Sequence, residues 1–273
     1  MRVHVIKTGR LVGNETVMRG EGWSSVFRRR RRYEFPAHCF VIEHPEGHIA
    51  IDTGLTTRVR LPASQRLISA PSPLIEAGEE IGPQMRAADL NGEDVRRVVL
   101  THLDWDHAGG LEYFPNSEVL VHRRELEFAQ KFRGKWRYQP KLWPSWFEPS
   151  LYDLDPEPYG PFPESKTLTE SGDVRLVPIP GHSIGQVAVV VQVGDVGLFF
   201  AADHALRQDW FVEDYDAGRL PMLGALFFPK IAAETSRRIH RLLEEVPTVF
   251  IPSHDADAPA RLAAMEQLRL RVN

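Results

Sequence analysis

Apolar and polar residues alternate from Met1 to Ile6, the period of a half-buried strand. Glycines 9, 13, 20 and 22 then mark a loop. Two short apolar runs, Cys39–Glu43 and His48–Asp52, flank Pro45-Glu46-Gly47 and predict a hairpin. Residues 55–90 are broken by four prolines and Gly78 and read as loops with short helices. A polar turn over Asp89–Asp94 leads into Val95–Leu100, a buried strand, and Glu125–Phe132 reads as a helix. In the last third Val174–Pro178, Val187–Val193, Val196–Ala201 and Thr248–Ile251 read as strands. Lys230–Val246 and Pro259–Leu270 read as helices. Strand-rich halves closed by helices predict an α/β fold of two sheets with helices outside. No linker interrupts the pattern, so residues 1–273 are expected to form one domain.

Two segments fit neither period. Residues 133–166 crowd Trp136, Tyr138, Trp143, Trp146, Phe147, Tyr152, Tyr159 and Phe162 among prolines. This insertion is either a packed structural element or the wall or lid of a pocket. Arg28–Arg32 is a run of five arginines, a solvated edge or a contact for an anionic partner.

Composition narrows the class. Of 273 residues, 42% are hydrophobic and 26% charged, which excludes a disordered or coiled-coil chain. The net charge of −4 gives no basic footprint for nucleic acid. The single cysteine, Cys39, rules out an internal disulfide and a cysteine-based zinc site. No apolar run reaches membrane-spanning length, and the first ten residues carry charges where a signal peptide needs an apolar stretch. A cytoplasmic chain without membrane contact is the expectation.

The chemistry concentrates after the predicted strand Val95–Leu100. Thr101-His102-Leu103-Asp104-Trp105-Asp106-His107-Ala108-Gly109-Gly110 packs four imidazole or carboxylate side chains into six positions. Both groups are accepted by divalent transition metals. If the segment is extended, His102, Asp104 and Asp106 point the same way. Other strand runs end in similar residues: His182 after Val177-Pro178-Ile179-Pro180-Gly181, Asp203 after Gly197–Ala202, His254 after Thr248–Ser253, and Asp52 before Thr53-Gly54. Ligands at strand ends suit a site on one rim of a sheet.

These residues resemble the metallo-β-lactamase-fold hydrolases, whose cluster His-x-His-x-Asp-His is followed by a Gly-His strand end, a bridging Asp and a last His. His102, Asp106, His107, His182, Asp203 and His254 stand in those places, and Asp52-Thr53-Gly54 matches the family's early Asp-Thr-Gly turn. The segments Thr101–Gly110, Pro180–Gln186 and Ala202-Asp203 are most similar to the N-acyl homoserine lactonase branch. The resemblance implies a four-layer αββα sandwich with two divalent metal ions at one edge. One ion would take His102, Asp104 and His182, the other Asp106, His107 and His254, with Asp203 bridging. Asp52 and Gly54 would be structural neighbours of the site. The implied function is a metal-dependent hydrolase that opens a lactone or cleaves an ester through a metal-bound hydroxide, with Asp106 as the catalytic residue. A phosphodiester or phosphotriester hydrolase on the same centre, or a non-catalytic metal-binding homologue, remains open.

The sequence departs from the family twice. Asp104 stands where a second histidine is usual, and Leu206 where lactonases of this branch place a tyrosine. As a ligand, Asp104 lowers the charge of the centre by one and moves preference from zinc toward manganese or iron. If its side chain turns instead to a neighbour, only the second ion binds tightly. His204, Tyr215 or an aromatic of the insertion could replace the tyrosine's polar contact. Trp105, Trp143, Trp146 and His204 are the candidate substrate contacts, for a small molecule; a homodimer is left open. Gly181-His182-Ser183-Ile184-Gly185 is not read as a serine-nucleophile elbow, because the residue before Ser183 is the candidate ligand His182.

Overall fold

A computed structural model describes residues 1–15, 32–61, 71–131, 134, 137–216 and 228–268, with the side chains of 215 and 216 left out. Arg28–Arg31, Trp136, the Tyr215 side chain and the end of the predicted last helix lie outside the described residues. The chain divides into two compact units, Met1–Val121 with Leu126–Leu151, and His122–Glu125 with Tyr152–Asn273.

The first unit is built on a mixed sheet. Its strands are β1 (Arg2–Asn14), β2 (Arg32–Glu43), β3 (His48–Ile51), β4 (Ser72–Leu74), β5 (Val95–Leu100), β6 (Glu118–His122) and β7 (Ser150–Tyr152), in the spatial order β4-β1-β2-β3-β5-β6-β7. The expected hairpin is β2–β3, which pair antiparallel from Phe40–Ile51 to Ile42–Ile49. β3, β5 and β6 then run parallel, so their carboxyl ends lie on one rim. The sheet's core-facing residues, among them Val41, Ala50, Val98 and Val121, pack with Leu103, Leu111, Phe114 and Tyr138 into one cluster. The helix α1 (Ile81–Ala87) adds Ile81 and Met85 to it. The helix α2 (Arg123–Gln130) starts directly after β6.

The second unit holds β8 (Lys166–Thr167), β9 (Val174–Pro178), β10 (Val187–Val193), β11 (Val196–Ala202) and β12 (Thr248–Pro252), ordered β12-β11-β10-β9-β8. β9, β10, β11 and β12 coincide with the runs read from sequence to within a residue, because each is mostly apolar. Among its described residues are the helices α3 (Gln208–Asp216) and α4 (Pro229–Glu245) between β11 and β12, and α5 (Ala258–Ala264) after β12. α4 turns Ala232, Thr235, Ser236, Ile239, His240, Leu242 and Leu243 inward, a helical spacing of three and four. Phe199, Phe250 and Phe211 stack at centroid distances of 6.0 and 4.8 Å within this unit's core. Among the described residues, no helix is long and apolar enough to cross a membrane.

Pairing decided what the residue pattern left open. β6 extends the sheet by pairing parallel to β5, and the described residues of the insertion include a short 3₁₀ turn (Pro140–Leu142) and the short strand β7. The predicted last helix begins one residue early and stops at Ala264, where Met265 takes a left-handed conformation (φ 51°).

The end of β12 is held by a buried ion pair. Arg261 of α5 donates to Asp255 at 2.5 Å, and Asp255 also accepts from the backbone N–H groups of Gln208 and Asp257. Arg261→Met leaves that carboxylate without its cation, and a cost of about 3–5 kcal/mol is expected. Urea unfolding of the two proteins measures it; a change below about 1 kcal/mol contradicts the assignment.

Candidate metal centre

The chain turns sharply where β3 ends. Asp52 has a left-handed backbone (φ 60°), and Gly54 follows at φ 72°. A Cβ on Gly54 would lie 2.1 Å from the Thr8 hydroxyl, so only glycine fits. The turn clamps the chemical loop: the N–H groups of Thr53 and Gly54 donate to the His107 carbonyl, and Gly109 N–H donates to the Gly54 carbonyl.

The Asp52 carboxylate sets the histidines. It is 2% exposed and accepts from the Thr101 N–H (2.8 Å), the Thr101 hydroxyl (2.8 Å) and His107 Nδ1 (2.7 Å). An ionised carboxylate only accepts, so His107 carries its proton on Nδ1 and turns Nε2 outward as a donor atom for a metal. The Thr101 hydroxyl spends its one proton on Asp52. Its oxygen, 3.0 Å from His102 Nδ1, therefore accepts, and His102 takes the same tautomer. One carboxylate thus fixes two imidazoles.

The extended geometry expected for the loop holds only for its first half. His102 Nε2 and Asp104 Oδ2 lie 3.4 Å apart, on one side. The chain then turns at Trp105–His107, closed by the N–H groups of His107 and Ala108 on the Asp104 carbonyl. The turn, rather than strand alternation, places Asp106 beside His107, with 4.0 Å between Oδ2 and Nε2.

Asp104 has a partner that the sequence did not reveal. Arg137 Nε donates to Oδ1 at 2.7 Å and Arg137 Nη2 to Oδ2 at 2.5 Å, a two-pronged pair. Arg137 lies 33 positions downstream among other basic residues of the insertion, and nothing local selects it.

In the second unit Asp203 follows Ala202, whose left-handed backbone (φ 45°) and a register shift end the β11–β12 pairing. Asp203 offers one oxygen to each of two histidines: Oδ2 is 3.6 Å from His182 Nε2 and Oδ1 is 3.1 Å from His254 Nε2. His182 follows Gly181 (φ 151°), where a Cβ would lie 2.8 Å from Ala232 of α4. α4 also binds the neighbouring backbone, with Thr235 donating to the Pro180 carbonyl at 2.6 Å. The loop's far end is held by Glu125, which accepts from the Gly185 N–H, and by His122, which bonds the Gly185 carbonyl. Gly181–Gly185 joins β9 to β10, so Ser183 sits buried between two strands instead of on a strand-to-helix elbow.

The candidate substrate residues fall in different surroundings. Trp105 is buried, Trp143 is half-buried against Phe147, and Trp146 is 40% exposed. His204 is buried and bonds the Ser236 hydroxyl of α4 at 2.9 Å. Burial, with the charges of His182 and His240, pushes its pKa down to about 3, so its imidazole is neutral. Leu206 is buried.

The donors fit divalent cations by their chemistry. They are buried imidazole Nε2 atoms and carboxylate oxygens, set side by side within each unit.

The metallo-beta-lactamase superfamily model matches residues 32–267, and the chain belongs to this superfamily. It is 27% identical over 274 residues to the N-acyl homoserine lactonase AttM of Azorhizobium caulinodans, covering 94% of each chain. It is 32% identical over 172 residues to the "Probable metallo-hydrolase" of Mycobacterium tuberculosis; that match covers 58% of this chain and about half (53%) of the relative. Among solved structures, an N-acyl homoserine lactone hydrolase with N-hexanoyl-L-homoserine at its catalytic metal centre superposes with a TM-score of 0.74. That likeness covers 98% of this chain and 96% of the other at 18% identity. The dizinc quorum-quenching lactonase AidC superposes with a TM-score of 0.64 at 15% identity, over 93% of this chain and 87% of its own. The two-sheet α/β fold is that of the superfamily.

Asp52→Ala removes the acceptor that orients His107 and, through Thr101, His102. A 10- to 100-fold loss of divalent-metal affinity is expected, roughly the effect of deleting such a partner elsewhere. Titration of the metal-free proteins with zinc checks it; unchanged affinity contradicts the orienting role.

Proposed function

We propose that the chain is a metal-dependent hydrolase that opens N-acyl homoserine lactones or closely related cyclic esters. The observation that carries the reading is the Asp203 carboxylate, which gives one oxygen to each of two histidines as a bridging ligand must. The full-length similarity to named lactonases supports the substrate class.

In this reading residues 1–273 act as one functional domain, because the family model runs across both compact units. The seven donors would hold two divalent ions, zinc or, given Asp104, manganese or iron. By the likeness to the family, one would take His102, Asp104 and His182, and the other Asp106, His107 and His254, with Asp203 shared. Such a pair of ions polarises a carbonyl and makes water nucleophilic near neutral pH. The chain's own residues do the rest. Asp52 keeps the imidazoles in the ligating tautomer. Asp106, held in the turn beside His107, would receive or deliver a proton as the ring oxygen departs. Trp105, Trp143 and Trp146 supply apolar surface for an acyl chain.

Treating the purified protein with a chelator should lower lactone opening at least about 100-fold, and zinc or manganese should restore it. Asp203→Ala should lose metal and activity together, read by elemental analysis beside the assay. A phosphotriester and phosphodiester panel runs in parallel. Turnover confined to that panel overturns the lactone assignment, and two bound metals with no turnover on either panel overturns the enzymatic one.

A further inference from the structure

The notable departure of this chain, an aspartate in place of the second histidine, comes with a cation. Both Asp104 oxygens receive an N–H from Arg137, whose side chain is 7% exposed, while that of Asp104 is 13% exposed. Arg137 is itself fixed in place. Its guanidinium lies 5.3 Å over the ring of Tyr138, and Tyr138 is buried in the first unit's core, edge-on to Phe128 at 6.2 Å. The Tyr138 N–H closes the local turn on the Gly134 carbonyl at 2.8 Å.

The charges of the loop can be counted. With a neutral histidine at position 104, the loop's donors carry the single negative charge of Asp106. Aspartate alone would add a second. The Arg137 guanidinium, always protonated, removes it again. Arg137 pairs with both Asp104 oxygens, and Oδ2 still lies 3.4 Å from His102 Nε2, facing the neighbouring candidate ligand.

We propose that Asp104 and Arg137 act as one unit that replaces a neutral histidine, with Arg137 the positioning residue that cancels the carboxylate's charge and aims its remaining lone pairs. The proposal rests on the metal-centre reading above. It assigns a role to the insertion that its aromatic residues do not reveal: carrying a cation to the ligand loop. It also makes the two positions interdependent. A histidine at 104 leaves Arg137 as an unmatched buried cation beside the metal donors, and removing Arg137 relieves it.

The test is a cycle of Asp104→His, Arg137→Met and the double variant, read as zinc affinity of the metal-free proteins in competition with a coloured chelator. Asp104→His alone should weaken zinc about 10- to 100-fold. Adding Arg137→Met should bring the affinity back to within about threefold of wild type. A second pair separates charge from shape and does not depend on the folding of Asp104→His. Arg137→Lys, which keeps the charge and loses the fork, should shift Co²⁺ affinity less than Arg137→Gln, which should shift it about tenfold or more. Additive effects in the cycle, or equal effects of Lys and Gln, overturn the proposal, because an arginine that only anchors the insertion changes melting temperature without this coupling. A wild-type chain that binds neither zinc nor cobalt overturns the metal-centre reading and this proposal together.

Discussion

The buried Asp52 carboxylate, at the end of β3, is the constraint on which the ligand loop depends. It accepts from three donors, the Thr101 N–H and hydroxyl and His107 Nδ1, and the last two fix where protons lie. His107 must protonate Nδ1, Thr101 must donate its hydroxyl proton, and His102 must then protonate Nδ1 as well. Had either histidine the other tautomer, its Nε2 would carry a hydrogen where a metal ligand needs a lone pair. The left-handed turn at Asp52 and the glycine two residues on are the backbone cost of placing that carboxylate there.

The second unit solves the same problem with a helix. Strands β9 and β11 lead into His182 and Asp203, and both ends are tied to one face of α4, Pro180 through Thr235 and His204 through Ser236. The left-handed Ala202 turns Asp203 out of the ladder so that its two oxygens face different histidines. His204, one residue further on, is locked neutral into the core by burial. The strands supply position and the helix supplies rigidity, which is what a ligand set needs before any ion arrives.

Much of this was legible from residues alone. Apolar runs gave β9 through β12 because buried strands have no competing period, and the dense His and Asp loop after Val95–Leu100 stood out by composition. What the pattern could not show were contacts between distant positions. Arg137 is one basic residue among several in an irregular segment, and only folding brings it to Asp104. Asp106 reaches His107 by a turn, where alternation had suggested an extended chain. β6 was missed because a five-residue strand is marked only by its pairing with β5. Glu125 and His122 precede the loop they hold by about 60 positions, a distance no local motif spans.

The proposed role of the buried histidines and aspartates, with Asp104 among them despite its arginine, is to hold two divalent ions. Diffraction from crystals grown with zinc and with manganese, measured on each side of the metal's absorption edge, tests it most directly. Two anomalous peaks sharing Asp203 are expected, one of them beside His102 and in contact with an Asp104 oxygen, with Arg137 still paired to that carboxylate. A single peak at Asp106, His107 and His254, with Asp104 turned wholly onto Arg137, would contradict it.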